Sequence, residues 1–188
     1  MYERSSQKYK KTIKIIHPGE LYASGNDELI GTVLGSCVAV CLFDEGKGIA
    51  GMNHFMLPGR ISSRDVFSDV SARYGITAIN TLIGEMERLG VEKKDLVAKI
   101  FGGGHVLASA GDIATIPADN IRIAHIMMEM EDIPIVKSDV GEHFTRKLLM
   151  DTKNGRVYLK KTVKDDVFQS IEKRDSEFAK RRFHRGNN

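Results

Sequence analysis

The chain has 188 residues, 41% hydrophobic and 28% charged, with a formal net charge of +3. That size and composition suit one globular domain with a substantial core and exclude a disordered class. No apolar run approaches the roughly 20 residues that span a bilayer, and the polar opening MYERSSQKYKKT lacks a signal-peptide core, so the sequence reads as cytoplasmic with no membrane insertion.

Residues 1–12 read as a flexible, basic lead-in to a single domain over 13–163. Lys14–Ile16 and Leu21–Ser24 are short strand candidates, separated by the turn pair Pro18-Gly19. Val38 to Phe43 then alternates with period two, Asp44 to Gly48 is turn chemistry, and Ile49 to Leu57 is again strand-like, so the segment reads as a β-hairpin. With Glu45 and Gly46 at the turn tip, Cys37 falls directly opposite His54, at a Cβ separation of about 5 Å. The polar stretch Arg60 to Asp69 reads as a loop leaving the His54 strand.

Ser71 to Leu89 is the clearest helix. Ile76, Ile79, Leu82, Ile83, Met86 and Leu89 recur at three- and four-residue steps, with Asp69 or Ser71 to cap the start and Gly90 the end. Leu96 to Phe101 reads as a buried strand. Asp119 or Asn120 is placed as the cap of a second helix running to about Met130. Ile135 to Val140 is a strand, and Lys147 to Lys161 a hairpin with Asn154-Gly155 as a type I′ turn. Residues 164–188 read as a charged, amphipathic helix using Val167, Phe168, Ile171 and Phe178, followed by a basic tail. From Glu172 onward that tail holds six basic and three acidic residues and so accounts for the whole positive excess. Strands mixed with helices and hairpins argue for an α/β or α+β layered domain.

The chemistry-bearing residues are few. Both cysteines, Cys37 and Cys41, are expected as free thiols, because four residues along one strand separate them by about 13 Å. A cysteine in an apolar strand is most often a small core residue, which suits Cys41. Cys37 differs in following Gly35-Ser36, small residues at a loop-to-strand junction where backbone can approach a substrate. A thiol facing an imidazole is the pair that nucleophilic catalysis by cysteine needs, and an inert core pair is the alternative. Asn53, beside His54, belongs on the opposite face of its strand. His17, His105, His125, His143 and His184 show no metal-ligand spacing, and FGGGH at 101–105 lacks the Gly-Lys-Ser/Thr ending of a phosphate loop. Neither a metal nor an organic cofactor is expected. The tail is more simply a solvated helix end than a nucleic-acid surface, since no zinc-finger or RNA-binding signature accompanies it.

The segment Pro18 to Pro58, above all TVLGSC and GMNHFMLP, strongly resembles the CheD family of chemoreceptor glutamine deamidases of bacterial chemotaxis. The similarity continues through ARYGITAINTLIGEM, KIFGGG and, more loosely, IPADNI. The resemblance implies a three-layer α/β sandwich with mixed and antiparallel sheets, similar to toxin-type glutamine deamidases. It implies Cys37 as nucleophile, His54 as base and Thr32 as the third member of the triad, with Gly35, Ser36 and Asn53 in the substrate or oxyanion region. It further implies methyl-accepting chemotaxis receptors as substrates and a CheC-type phosphatase as a partner, the latter opening an alternative in which the chain is a regulatory binding module with little turnover. The absence of a heptad pattern makes a monomer the expectation. The chain departs from the family's pattern at Gly141-Glu142, at Thr145-Arg146 and at His105.

Overall fold

The computed structural model describes residues 1–57, 61, 66–105 and 115–163. Among these it has ten strands: β1 Tyr2–Ser6, β2 Lys11–Ile15, β3 Leu21–Ser24, β4 Leu29–Leu34, β5 Val38–Asp44, β6 Ile49–Asn53, β7 Leu96–Gly102, β8 Ile135–Val140, β9 Thr145–Asp151 and β10 Val157–Thr162. Two α-helices accompany them, α1 Val70–Arg88 and α2 Ile116–Met130.

The strands form two mixed five-stranded sheets. The first runs β1-β2-β4-β9-β10 and the second β3-β6-β5-β7-β8. Pairing is antiparallel except for β2 with β4 and β7 with β8. The alternation along β5 explains how the layers stack. Val38, Val40 and Leu42 share a buried cluster with Ile79, Leu82 and Met86 of α1 and Ile123 and Met127 of α2. Ala39, Cys41 and Phe43 point the other way and pack with Ile30 and Leu34 of β4 and Leu148 and Met150 of β9. The second sheet is therefore the middle layer of a helix–sheet–sheet sandwich, and β5 is buried on both faces, which accounts for its unbroken apolar run. This is the three-layer arrangement that the family resemblance implies.

Helix α1 starts where Asp69 accepts hydrogen bonds from the backbone N–H groups of Ser71 at 2.9 Å and Ala72 at 3.2 Å. It ends before Gly90, which takes φ +90°. Its buried stripe, Ile79, Leu82, Ile83 and Met86, anchors it to the middle sheet. Each such side chain contributes about 1.5–3 kcal/mol of transfer free energy.

Four expectations are corrected. Residues 1–12 are not a loose lead-in: β1 and β2 form an antiparallel hairpin with Tyr2 opposite Ile15. β1 is almost wholly exposed, so no alternation marks it in the sequence. The β5–β6 turn is longer than the tip placed at Glu45 and Gly46. Asp44 pairs with Ile49 and Cys41 with Met52, while Gly48 N–H and Lys47 N–H bond to the Asp44 carbonyl and carboxylate. Helix α2 is not capped by Asp119 or Asn120; it begins at Ile116, with Thr115 at the cap position and Pro117 in its first turn. The β9–β10 turn is not type I′, which needs positive φ at both central residues; only Gly155 takes it, at φ +63°. The helix and tail placed over 164–188, and half of the loop placed over Arg60 to Asp69 (residues 60 and 62–65), lie outside the described residues; of the loop, Val66–Ser68 forms a 3₁₀ turn.

Candidate active site

Of the connections that pass between the two sheets, the one from β4 to β5 is a short turn. β4 ends at Leu34 in the first sheet and β5 begins at Val38 in the second, so Gly35, Ser36 and Cys37 are the crossing. All three carbonyls of this turn are held from behind. Gly35 O accepts from Gly104 N–H at 2.9 Å, Ser36 O from Asn120 Nδ2 at 2.9 Å, and Cys37 O from Gly103 N–H at 2.7 Å. The glycine run after β7 is what permits this approach. Gly102 lies at φ +113°, and a Cβ there would stand 2.2 Å from the Cys37 carbonyl oxygen; at Gly103, φ +63°, it would stand 2.5 Å from Ile121. FGGGH is thus a packing surface behind the turn.

Cys37 and His54 do not face each other directly. The isolated bridge pairs Val38 with Phe55, and the same register sets Met56 opposite Cys37 and Ala39 opposite His54. The correction is a shift of two residues, and an even shift keeps each side chain on its original face. Cys37 and His54 are therefore diagonal neighbours on the face of the middle sheet that looks toward the first sheet. Both are fully buried, at 0% exposure.

Across the interlayer space His54 meets Thr32. The Nδ1 of His54 lies 2.8 Å from Thr32 Oγ1, and the same hydroxyl donates to the Ile16 carbonyl at 2.9 Å. A hydroxyl has one hydrogen and two lone pairs. The Ile16 carbonyl can only accept, so the hydrogen goes there and the oxygen accepts from His54 Nδ1–H. That assigns the neutral imidazole its tautomer: the proton sits on Nδ1 and the lone pair on Nε2. The same contact serves the imidazolium, which also donates from Nδ1. Thr32 is a strand residue of β4 and is buried at 2% exposure.

The other residues placed near the site divide. Gly35 and Ser36 form the crossing turn, and Ser36 Oγ donates to Met56 Sδ at 3.5 Å. Asn53 lies on the helix-facing side, the face opposite His54 expected for it, and so stands outside the substrate or oxyanion region that the resemblance implies for it. Its Oδ1 accepts from Val40 N–H at 2.9 Å and its Nδ2 donates to the Ala78 carbonyl at 3.1 Å, so it ties β5 to α1 and is turned away from the Cys37 face. Cys41 is buried in the interlayer core, and burial pushes its thiol up to about 12, the behaviour of an inert core cysteine. Neither cysteine forms a disulfide.

Two buried residues escape sequence reasoning. Asn120 reads as a helix cap, yet it lies inside α2 with both ends of its amide engaged. Pro117 was the signal that moves the helix start upstream. Arg146 of β9 is wholly buried and bonds to Asp139 Oδ1 at 2.9 Å and the Gly141 carbonyl at 2.9 Å, joining the two sheets beside the crossing turn. Burial alone would raise the Asp139 carboxyl, but hydrogen bonds from Lys161 and Arg146 outweigh it and hold the group below the usual carboxylate range. Among the described residues no group of three or more His, Cys, Asp or Glu is placed to hold a metal, and no helix is long and apolar enough to cross a membrane.

A buried thiol and imidazole on one sheet face, with the imidazole oriented by a hydroxyl, form a constellation able to perform acyl transfer. The family model described as CheD chemotactic sensory transduction matches residues 56–161. Proteins named probable chemoreceptor glutamine deamidase CheD are similar to this chain in several bacteria. That of Laribacter hongkongensis is 38% identical, covering 87% of this chain and 79% of its own length. That of Janthinobacterium sp. is 41% identical over 78% and 71%, and that of Sulfurimonas denitrificans 41% over 78% and 92%. A solved structure, the Bacillus licheniformis hypothetical protein YfiH, covers 72% of this chain and 61% of its own at a TM-score of 0.42 and 10% identity, a likeness too loose to bear on function.

Proposed function

The chain belongs to the CheD family, and on that premise we propose that it hydrolyses glutamine side-chain amides of chemoreceptors, with Cys37 as nucleophile, His54 as general base and acid, and Thr32 as the residue that orients His54. The observation that carries this reading is the Thr32–His54 contact, because the Ile16 carbonyl leaves His54 Nε2 as the basic nitrogen on the face that Cys37 shares.

The steps follow from acyl-transfer chemistry. Nε2 takes the thiol proton as Sγ attacks the carboxamide carbon; an S–C bond forms and the carbonyl π pair moves to oxygen. The Cys37 N–H, in the turn pinned by three hydrogen bonds, meets that charge. On collapse the C–N bond breaks and nitrogen leaves with the imidazolium proton as ammonia. A water then loses a proton to Nε2 and attacks the thioester carbon. The C–S bond breaks, glutamate is released and the thiolate is reprotonated. No metal or organic cofactor takes part. Each turnover replaces a neutral side chain on the receptor by a charged one.

Because Cys37 and His54 are buried, a glutamine side chain reaches Sγ only when the site opens, so receptor docking and access are coupled in this reading. It places the protein in the cytoplasm as a monomer. It retains a CheC-type phosphatase as a second partner, for which light scattering with and without such a protein is the test. The catalytic assignment is tested by ammonia release from a soluble chemoreceptor fragment. Release must follow the concentration of this protein and vanish in Cys37→Ala.

A further inference from the structure

Asn120 is fully buried, and its orientation is unambiguous because each partner can play only one role. Leu57 N–H donates to Oδ1 at 2.8 Å, and Nδ2 donates to the Ser36 carbonyl at 2.9 Å. A buried amide is costly unless both ends are paired, and here each pairing reaches the site. Leu57 lies three residues beyond His54, and Ser36 immediately precedes Cys37. One side chain of α2 thus joins the segment leaving the imidazole to the turn carrying the thiol. Its neighbour Asp119 accepts from Ile61 N–H at 3.0 Å, farther along the first of these.

The Ser36 carbonyl and the Cys37 N–H are the two ends of one trans peptide unit. In a planar trans unit they point in opposite directions. Holding the Ser36 oxygen toward α2 therefore turns the Cys37 N–H away from α2. A hydrogen bond to the oxygen also polarises the unit and strengthens its N–H as a donor. The carbonyls of Gly35 and Cys37, on either side, are fixed by backbone N–H groups that no side-chain substitution removes; the middle one accepts from the side chain of Asn120.

We infer that Asn120 is a positioning residue for acyl transfer. Through the Ser36–Cys37 peptide it sets the direction and strength of the N–H that meets the charge on the attacked carbonyl oxygen. This rests on the acyl-transfer reading of Cys37, though not on the identity of the substrate.

Two reactions at the same sulfur separate this role from a merely structural one. With iodoacetamide, Sγ displaces iodide from a saturated carbon and no charge collects on a carbonyl oxygen. With p-nitrophenyl acetate, the S–C bond forms, the π pair moves to oxygen and returns, and p-nitrophenolate leaves a thioester. Both need the same thiolate and the same opening of the site; only the second needs the donor. Rates are read where both rise linearly with reagent, with adducts assigned to Cys37 by peptide mass spectrometry. Asn120→Asp keeps the volume and the acceptor for Leu57 N–H but loses the donor to Ser36. It is expected to slow acylation by at least about tenfold, short of the loss of a whole oxyanion donor, and to leave alkylation within about threefold of the native rate. Asn120→Ser, which also cannot reach Ser36, carries the same expectation if the carboxylate prevents folding. Equal slowing of both reactions, or of neither, overturns the inference, as does a native protein that is not acylated at all. A normal ratio shift in a protein that deamidates no receptor fragment supports the inference and rejects the receptor as substrate.

Discussion

Thr32 Oγ1 stands 2.8 Å from His54 Nδ1 and 2.9 Å from the Ile16 carbonyl, so one hydroxyl joins the outer sheet to the imidazole of the middle sheet. Because its hydrogen goes to Ile16, the contact fixes which imidazole nitrogen is basic. The proposed chemistry depends on this more than on proximity of Cys37 to His54 alone.

Thr32→Val keeps the shape and removes the hydroxyl. The imidazole then loses its tautomer preference, and kcat for deamidation is expected to fall on the order of 100-fold, the lower end of what a general base contributes, with KM little changed. Thr32→Ser restores most of the rate. Steady-state ammonia release measures both; a valine variant at native kcat contradicts the orienting role.

Gly102→Ala sets a methyl against the Cys37 carbonyl oxygen, where the space is 2.2 Å, at a φ of +113°. Backbone strain and the clash together are expected to cost more than about 2 kcal/mol, read as a lower urea midpoint. Activity falls as well, because the atom displaced belongs to the nucleophile's own residue.

Much of the site is legible in the sequence because strand periodicity is indifferent to even shifts. Placing the hairpin tip at Glu45 and Gly46 puts the register wrong by two, yet Cys37 and His54 stay on one face, and Asn53 stays on the other, as its bonds to Val40 and Ala78 require. What periodicity cannot reveal is which sheet a strand joins. That β4 and β5 belong to different layers, making Gly35–Cys37 a crossing, depends on β4 pairing with β9, more than a hundred residues along the chain. Asn120 is hidden for a similar reason: an asparagine near a helix start has the same local signature whether it caps the helix or reaches out to Ser36.

Arg146 and Asp139 supply a pH dependence. The folded Asp139 carboxyl titrates below its unfolded value, near 3.9 in an unfolded chain. Its contribution to stability is therefore complete above the unfolded value and is lost as pH falls through the folded one. Asp139→Asn is expected to remove that part of the acid-side slope in urea unfolding at several pH values. Arg146→Met leaves the half-buried Asp139 with Lys161 beside it and removes the donor to the Gly141 and Phe144 carbonyls, and is expected to cost about 1–3 kcal/mol, the range for leaving a buried polar group unsatisfied. A slope unchanged in Asp139→Asn rejects this assignment.

Cys41, its thiol pushed up to about 12 by burial, is expected to remain unalkylated in folded Cys37→Ala at pH 8 and to react once urea unfolds the chain. Modification of Cys41 in the folded variant contradicts the placement of β5 between two packed layers.

Incubating the purified chain with soluble chemoreceptor fragments, with Cys37→Ala and His54→Ala in parallel, and reading the receptor peptides by mass spectrometry decides whether Cys37 and His54 deamidate a receptor. A gain of about 1 Da at particular glutamines, the change from amide to acid, is expected in the native reaction and in neither variant. Receptor peptides of unchanged mass, or a gain that persists without Cys37, contradict that role.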